Sequence, residues 1–464
     1  MGFRLAVSQN EHVSPDDGQV DAVVSVIASD LRATSTPELA EVLAVDCSGS
    51  MAHPRTKIAA ARLATEAAVD ALRDGVRFAV VEGTHVARMV YPPDRALVPA
   101  DDRTRAEAKA AARRLVTGGG TAMGAWLELA SDLFDDHPDA VRHAILLTDG
   151  MNGEPRARLD AVLARCAGRF TCDARGIGDG WAPDELRHVA EALHGDVDAV
   201  RDPDELPADF RRLTDAAMGK VVADLGLRVR LAPHAALLRA RQVYPAEVDL
   251  AGRPDGERVT RFGTGTWGDE RRAFLLTLRV DLSGFAVGER RQAARVDLVD
   301  ASGQPLAEPA AVLVRSTDDP LRSGVLDGQV AHYTRETELG ELILAGCEAY
   351  DAGDGRGAEA AWGRAVALAA RLGNEASLRR LRWLVDVVGA PEDGVVRVRA
   401  DLAVKDMHIA ALSSTRSTWA PGAPEREPAP PAGPDVRCPE CGRVSGAGSR
   451  FCPRCRHPFE GTAR

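Results

Sequence analysis

Oxygen-bearing side chains recur at three points of the sequence with spacing that suits a metal ion. Asp46, Ser48 and Ser50 occupy alternate positions directly after an apolar run. Asp149 ends a second apolar run, and Thr121 follows three consecutive glycines. Each apolar run is typical of a buried strand, so both carboxylates stand at strand ends. Carboxylate and hydroxyl oxygens are ligands of hard divalent cations, and the set therefore predicts a cation site.

The elements that must position these side chains alternate between strand and helix. From residue 39 to about 219, short apolar runs alternate with stretches whose apolar residues follow helical spacing. Such alternation predicts an α/β fold with a doubly wound, mostly parallel sheet covered on both faces. Ligands of open parallel sheets bind beyond the carboxyl ends of the strands. The predicted fold and the predicted cation site are therefore consistent with each other.

Residues 39–219 resemble the von Willebrand factor A (VWA) domain with its metal-ion-dependent adhesion site. Asp46, Ser48, Ser50, Thr121 and Asp149 match all five positions of that site by residue type and order. The resemblance implies a Mg²⁺ site, or one for Mn²⁺ or Ca²⁺, with one coordination position left for an outside ligand. In the family that ligand is typically an acidic side chain of a protein partner.

The segments around this domain predict further modules. Residues 220–320 show period-two alternation punctuated by Gly and Pro, which predicts an antiparallel β-sandwich. Residues 1–38 also alternate and are expected to add strands to the same sandwich, as in bacterial VWA proteins whose sandwich is interrupted by the VWA domain. Residues 328–410 read as a helical region, for which we expect a hairpin. Residues 411–435 are predicted to be a Pro-rich linker.

Residues 436–464 hold four of the eight cysteines as two Cys-x₂-Cys pairs, Cys438 with Cys441 and Cys452 with Cys455. Paired knuckles of this spacing supply four thiolates for tetrahedral Zn²⁺ and predict a structural zinc ribbon. An iron site of rubredoxin type uses the same ligand set and is the alternative. The remaining cysteines are scattered among apolar neighbours, which predicts reduced, buried thiols.

Composition restricts the functional classes. The chain has 464 residues and a formal net charge of −11, which disfavours binding to nucleic acid or anionic membranes. No signal peptide or membrane-length apolar segment is visible, and we expect a cytoplasmic protein.

The interpretation that combines these features is a non-enzymatic, protein-binding adaptor with a VWA domain and a zinc ribbon. The combination of a VWA domain with a Cys-rich tail resembles bacterial VWA proteins that are encoded with Ser/Thr kinases and PP2C-type phosphatases in tellurium-resistance-related systems. This resemblance makes kinases and phosphatases of these classes candidate partners. A nucleic-acid-associated factor acting through the ribbon is the alternative. A hydrolytic enzyme would need a general base near Asp46, and the sequence indicates none.

Overall fold

The structure is a computed structural model that describes residues 2–31, 37–421, 436–437, 439–441 and 444–445. The chain divides into two compact units, Met1–Ala420 and Pro421–Arg464. Among the described residues, no helix combines the length and the apolar character needed to cross a membrane.

The chain opens with strands that return to pair with a later part of the first unit. The strands are β1 (Gly2–Gln9), β2 (His12–Val13) and β3 (Gln19–Ser29). β1 and β3 form an antiparallel hairpin in which Gly2 faces Ser29 and Gln9 faces Ala22. After β3 the chain enters the α/β segment.

The α/β segment, residues 39–219, is a mixed sheet with helices on both faces. Its strands are β4 (Leu39–Asp46), β5 (Arg77–Gly83), β6 (Ala87–Tyr91), β7 (Val98–Pro99), β8 (Val141–Gly150), β9 (Thr171–Gly180) and β10 (Val197–Val200). Its helices are α1 (Thr56–Ala71), α2 (Asp102–Ala112), α3 (Met123–Phe134), α4 (Arg156–Cys166), α5 (Pro183–Ala192) and α6 (Leu206–Met218). The strand order is β10-β9-β8-β4-β5-β6, with β7 also on β5. All pairs are parallel except those of β6 and β7 with β5.

The centre of this sheet explains why its sequence is continuously apolar. Every residue of β4 is buried, because helices cover both faces. Leu43 and Val45 pack with α1 and α6 on one face, whereas Val42 and Ala44 pack with α3 on the other. β4 and β8 are parallel neighbours, so Asp46 and Asp149 end their strands at the same edge of the sheet.

Two β-sheets with a common core follow the α/β segment. Their later strands are β11 (Val222–Leu231), β12 (Ala235–Tyr244), β13 (Val248–Asp249), β14 (Gly252–Pro254), β15 (Val259–Trp267), β16 (Arg271–Val280), β17 (Arg290–Val299) and β18 (Ala310–Ser316). The N-terminal strands join both sheets, whose orders are β1-β3-β16-β12-β13 and β14-β15-β11-β17-β18-β2. Neighbouring strands are antiparallel except β18 and β2, which are parallel. Phe274 of one sheet and Leu227 and Val296 of the other belong to the same buried cluster.

The helical region is larger than the hairpin that the sequence predicts. It contains α7 (Pro320–Ser323), α8 (Gly328–Asp351), α9 (Gly355–Leu372), α10 (Glu375–Leu384), β19 (Val385–Val387), β20 (Val396–Val398) and α11 (Val404–Leu412). The hairpin prediction is corrected because Asn374 accepts a hydrogen bond from the Ser377 amide and so caps a third long helix, α10. α8 packs on β1 and β3, and α11 packs on α5 and β10.

The predicted linker begins later than residue 411. α11 ends at Leu412, and Arg416 pairs with Asp196 at 2.7 Å while Trp419 packs edge-on against Tyr244. Residues 411–420 therefore belong to the folded first unit, since their polar and aromatic side chains have fixed partners there. In the second unit, β21 (Val436–Arg437) and β22 (Val444–Ser445) pair antiparallel.

Candidate metal centre

Asp46 is the most firmly held side chain of the predicted site. It is fully buried at the end of β4. Its Oδ1 accepts a hydrogen bond from the Ser48 amide at 2.7 Å, and its Oδ2 accepts one from Thr148 Oγ1 at 2.6 Å. Burial raises the pKa of Asp46 above its ordinary value, and the nearby charge of Asp149 acts in the same direction. A buried carboxylate whose charge is unfavourable gains most from a cation.

The two serines connect Asp46 to the second carboxylate through a short chain of oxygens. Ser48 Oγ lies 2.8 Å from Ser50 Oγ, and Ser50 Oγ donates to Asp149 Oδ1 at 2.6 Å. Ser50 is exposed, whereas the Asp149 side chain is fully buried. The chain of oxygens therefore runs from the interior of the sheet edge to the solvent.

Thr121 reaches the same place from a separate loop. A Cβ atom built on Gly150 would lie 3.3 Å from Thr121 Oγ1 and 3.4 Å from Ser50 Oγ, so the two hydroxyls approach a common point. Backbone bonds fix the loop, since the Gly153 amide donates to the Thr121 carbonyl at 2.7 Å and the Gly49 amide donates to Gly119 O at 3.0 Å. The structure thus brings all five predicted residues together.

The donor set fits a hard divalent cation. Two carboxylates and three hydroxyls supply oxygen only, which favours Mg²⁺, Mn²⁺ or Ca²⁺ over soft metals. Within the described part of the chain, no group of three or more His, Cys, Asp or Glu side chains could hold a metal ion. A cation at this edge would therefore depend on the hydroxyls as well as on Asp46 and Asp149.

Comparison with known proteins agrees with this geometry. The von Willebrand factor type A domain model matches residues 40–198. A solved von Willebrand factor type A protein from Catenulispora acidiphila is 40% identical, superposes with a TM-score of 0.83, and the match covers 90% of this chain and 97% of that one. The chain belongs to the von Willebrand factor type A proteins. VWA domains are often metal-dependent protein-interaction modules.

Two further matches are more distant in sequence. The protein sll0103 of Synechocystis is 28% identical over 333 residues, which are 68% of this chain and 75% of that protein. The ArnB paralog VWA2 from Sulfolobus acidocaldarius is 15% identical, with a TM-score of 0.53, over 89% of this chain and 97% of that one. The archaeal structure shows a common fold only.

One charged residue of the VWA site escaped the sequence analysis. Lys57, in the first turn of α1, donates from Nζ to Asp149 Oδ2 at 2.7 Å. Its residue exposure is 7%. The signal in the sequence was the rarity of lysine, because only four of the 58 Lys and Arg residues of this chain are lysines. A lysine close behind an Asp-x-Ser-x-Ser run was therefore informative.

Two further side chains hold the Thr121 loop against the strand end that carries Asp149. Asn152 Oδ1 accepts from the Met123 amide at 3.0 Å, and Glu154 Oε2 accepts from the Gly124 amide at 2.7 Å. These acceptors satisfy the first amides of α3. This link was not predicted from the sequence, because the two partners lie about thirty residues away from the amides they cap.

The structure tests the prediction for the four scattered cysteines but not the prediction of a zinc ribbon. Cys47, Cys166, Cys172 and Cys347 are buried and form no disulfide, which confirms the prediction of buried thiols. Of the predicted zinc ligands, Cys438, Cys452 and Cys455 lie outside the described residues, and Cys441 is half-buried. The zinc ribbon therefore stays a prediction.

Proposed function

We propose that the protein is a non-enzymatic adaptor that captures an acidic side chain of a protein partner through a divalent cation at the VWA site. The observation that carries the proposal is the convergence of Thr121 Oγ1 and Ser50 Oγ on one point beside the two carboxylates. Five protein oxygens, some acting through water, leave a position of an octahedral Mg²⁺ ion for an outside ligand.

The surroundings of the site support a protein as that ligand. Ser50 and the glycines before Thr121 are exposed, so the site opens to solvent at the sheet edge. Met151, directly after Gly150, is 65% exposed, and Val116, shortly before the glycines, is 67% exposed. Apolar side chains beside a metal site offer area that a macromolecular partner can bury.

Substitution of either carboxylate tests the proposal. Asp46→Ala and Asp149→Ala are each expected to abolish Mg²⁺-dependent partner capture, because each removes a charged ligand. The assay is a pull-down from native lysate in Mg²⁺ or in EDTA, with bound proteins identified by mass spectrometry. Asp132→Ala is the matched control, since it removes an exposed carboxylate of the same domain that pairs with Arg95. Capture that survives both site substitutions in folded protein excludes a metal bridge.

The candidate partners are Ser/Thr kinases and PP2C-type phosphatases. The support is the resemblance to bacterial VWA proteins that combine this domain with a Cys-rich tail. The same pull-down tests this choice. A Mg²⁺-dependent set of bound proteins that contains neither class would leave the adaptor function standing and remove this assignment.

We further propose that Cys438, Cys441, Cys452 and Cys455 hold one structural Zn²⁺, which makes the tail a second interaction module. The division of the chain after Ala420 supports an independent tail. Purified protein is expected to carry about one Zn²⁺ per chain that resists dialysis. Deletion of residues 436–464 should remove the zinc without changing the melting temperature of the first unit. Stoichiometric zinc in the truncated protein would place the metal elsewhere.

A further inference from the structure

The ammonium group of Lys57 is built into the VWA metal site. Its side chain is 9% exposed, and its partner Asp149 is fully buried. Gly178 provides the space for it, because a Cβ atom at that position would lie 2.7 Å from Lys57 Cε and 3.1 Å from Nζ. Gly178 also has φ +76°, which a residue with a Cβ atom rarely adopts. The end of β9 thus leaves room for a lysine directed at Asp149.

This ion pair differs from the surface pair of Lys109 in what its carboxylate also contacts. Lys109 pairs with Asp70 at 2.6 Å on the surface, where side chains are 26% and 43% exposed. Lys57 instead holds Asp149, whose other oxygen accepts from Ser50. The ammonium therefore acts on the same carboxylate that the proposed cation needs.

The formal charges of the site indicate what the lysine does. Asp46, Asp149 and Lys57 together carry a net charge of −1. A divalent cation changes this charge to +1, and one carboxylate from a partner brings it to zero. Without the lysine, the cation alone would neutralise the site. The lysine thus gives the loaded site a positive charge that an anionic ligand can balance.

We infer that Lys57 lowers the affinity of the site for a divalent cation by itself and couples cation binding to binding of the partner's carboxylate. The inference rests on the proposed function. The cation must share Asp149 with the ammonium and is repelled by it, and the carboxylate relieves that repulsion. By reciprocity, the carboxylate then raises the affinity for the cation as much as the cation raises the affinity for the carboxylate.

A competing effect is the orientation of Asp149. Removal of Lys57 loses one charged hydrogen bond to Oδ2, but Ser50 still holds Oδ1 at 2.6 Å. Repulsion between an ammonium and a divalent ion around one carboxylate is the larger effect at these short distances. Neutralisation of the lysine is therefore expected to strengthen cation binding.

Mn²⁺ titration of the full chain tests this inference. Lys57→Met keeps an unbranched side chain over Gly178 and removes the charge. We expect it to bind Mn²⁺ at least about tenfold more tightly than wild type. Lys109→Met removes the same charge from the surface pair and should bind like wild type. Asp149→Ala supplies the background of any other Mn²⁺ site.

Acetate at constant ionic strength is the probe for the carboxylate. It should increase the Mn²⁺ affinity of wild type and increase that of Lys57→Met by a smaller factor. Equal or weaker Mn²⁺ binding by Lys57→Met, or equal acetate effects in the two proteins, overturns the inference. If Lys57→Met does not fold, Lys57→Gln keeps a donor for Asp149, and the wild-type acetate titration needs no variant, because an absent acetate effect also overturns it.

The same titrations separate this inference from the adaptor function. Wild type that binds no more Mn²⁺ than Asp149→Ala contradicts the proposed metal centre itself. Wild type that binds Mn²⁺ while Lys57→Met binds no more tightly contradicts only the role of the lysine.

Discussion

Two clusters of buried charge lie on the same strands, β4 and β8, one near their amino ends and one at their carboxyl ends. Near the amino ends, Glu41 and His143 are register neighbours, and His143 Nδ1 lies 2.9 Å from both Glu41 carboxylate oxygens. His143 Nε2 lies 3.3 Å from Asp173 Oδ2. Composition alone would favour this cluster as the metal site, because histidine and two carboxylates are typical ligands.

The geometry of the two clusters leads to the opposite assignment. Both ring nitrogens of His143 already face carboxylates, so the imidazole has no free nitrogen to offer a cation. At the carboxyl ends, Ser48 and Ser50 present hydroxyl oxygens that retain lone pairs for a cation, and Ser50 reaches solvent. Buried charge alone therefore does not identify a binding site. Oxygen atoms with spare acceptor capacity distinguish the candidate metal centre from the structural ion cluster.

The largest expected effect comes from breaking the cluster of Glu41, His143 and Asp173. His143→Ala leaves Glu41 and Asp173 without their cation and should lower the free energy of unfolding by about 3–5 kcal/mol. Mn²⁺ affinity of the folded variant should equal that of wild type, because the cluster does not touch the metal centre. Urea unfolding and Mn²⁺ titration are the measurements.

His188→Ala is the control for this substitution. His188 pairs with Asp160 near the surface, so its loss should cost at most about 1 kcal/mol. A large loss of Mn²⁺ affinity in folded His143→Ala would contradict the separation of the two clusters.

The cluster of Glu41, His143 and Asp173 should also make the free energy of unfolding depend on pH. Burial opposes the charge of His143, but Glu41 and Asp173 outweigh it and raise the pKa of His143 from 6.5 to about 10. Between these values the folded protein holds a proton that the unfolded chain releases. Stability is therefore fully present below pH 6.5 and falls as pH rises toward 10, by up to about 1.4 kcal/mol per pH unit.

Urea unfolding of wild type and His143→Gln from pH 6.5 to 9.5 measures this dependence. The variant lacks the titrating group and should show a smaller slope. Equal slopes in the two proteins would assign the pH dependence to other groups.

The candidate ligands that follow β4 were predictable because their information is local. β4 is a central parallel strand covered on both faces, so its sequence is an uninterrupted apolar run whose end is visible. Asp46, Ser48 and Ser50 then follow within one short turn. Asp149 joins them because β4 and β8 are neighbours, whereas Thr121 is placed by its own loop.

The missed features depend on long-range packing. β12 (Ala235–Tyr244) has no regular alternation of its own, because only Ala235, Ala240, Arg241 and Val243 are buried. The pair of Glu41 with His143 exists only through the register of two strands about one hundred residues apart. Lys57 reaches Asp149 because Gly178, on another strand, leaves space for it. Spacing within one segment indicates none of these contacts.

The smallest and most specific effect is expected for Thr121, which alone among the metal ligands lies on a separate loop. Thr121→Val keeps the shape of the side chain and removes the oxygen. Mn²⁺ binding should persist through Asp46, Ser48 and Ser50 together with Asp149, whereas affinity for the captured partner should fall at least about tenfold, or about 1.4 kcal/mol. The reason is that the cation loses one ligand that holds it in the geometry the partner recognises.

Thr65→Val is the matched control, since Thr65 is buried in α1 and donates to Ala61 O. Calorimetry with Mn²⁺ and binding of the partner on the same samples measure both quantities. Equal partner affinity in Thr121→Val and wild type would exclude Thr121 from the working site. The candidate metal centre would then consist only of the residues at the carboxyl ends of β4 and β8.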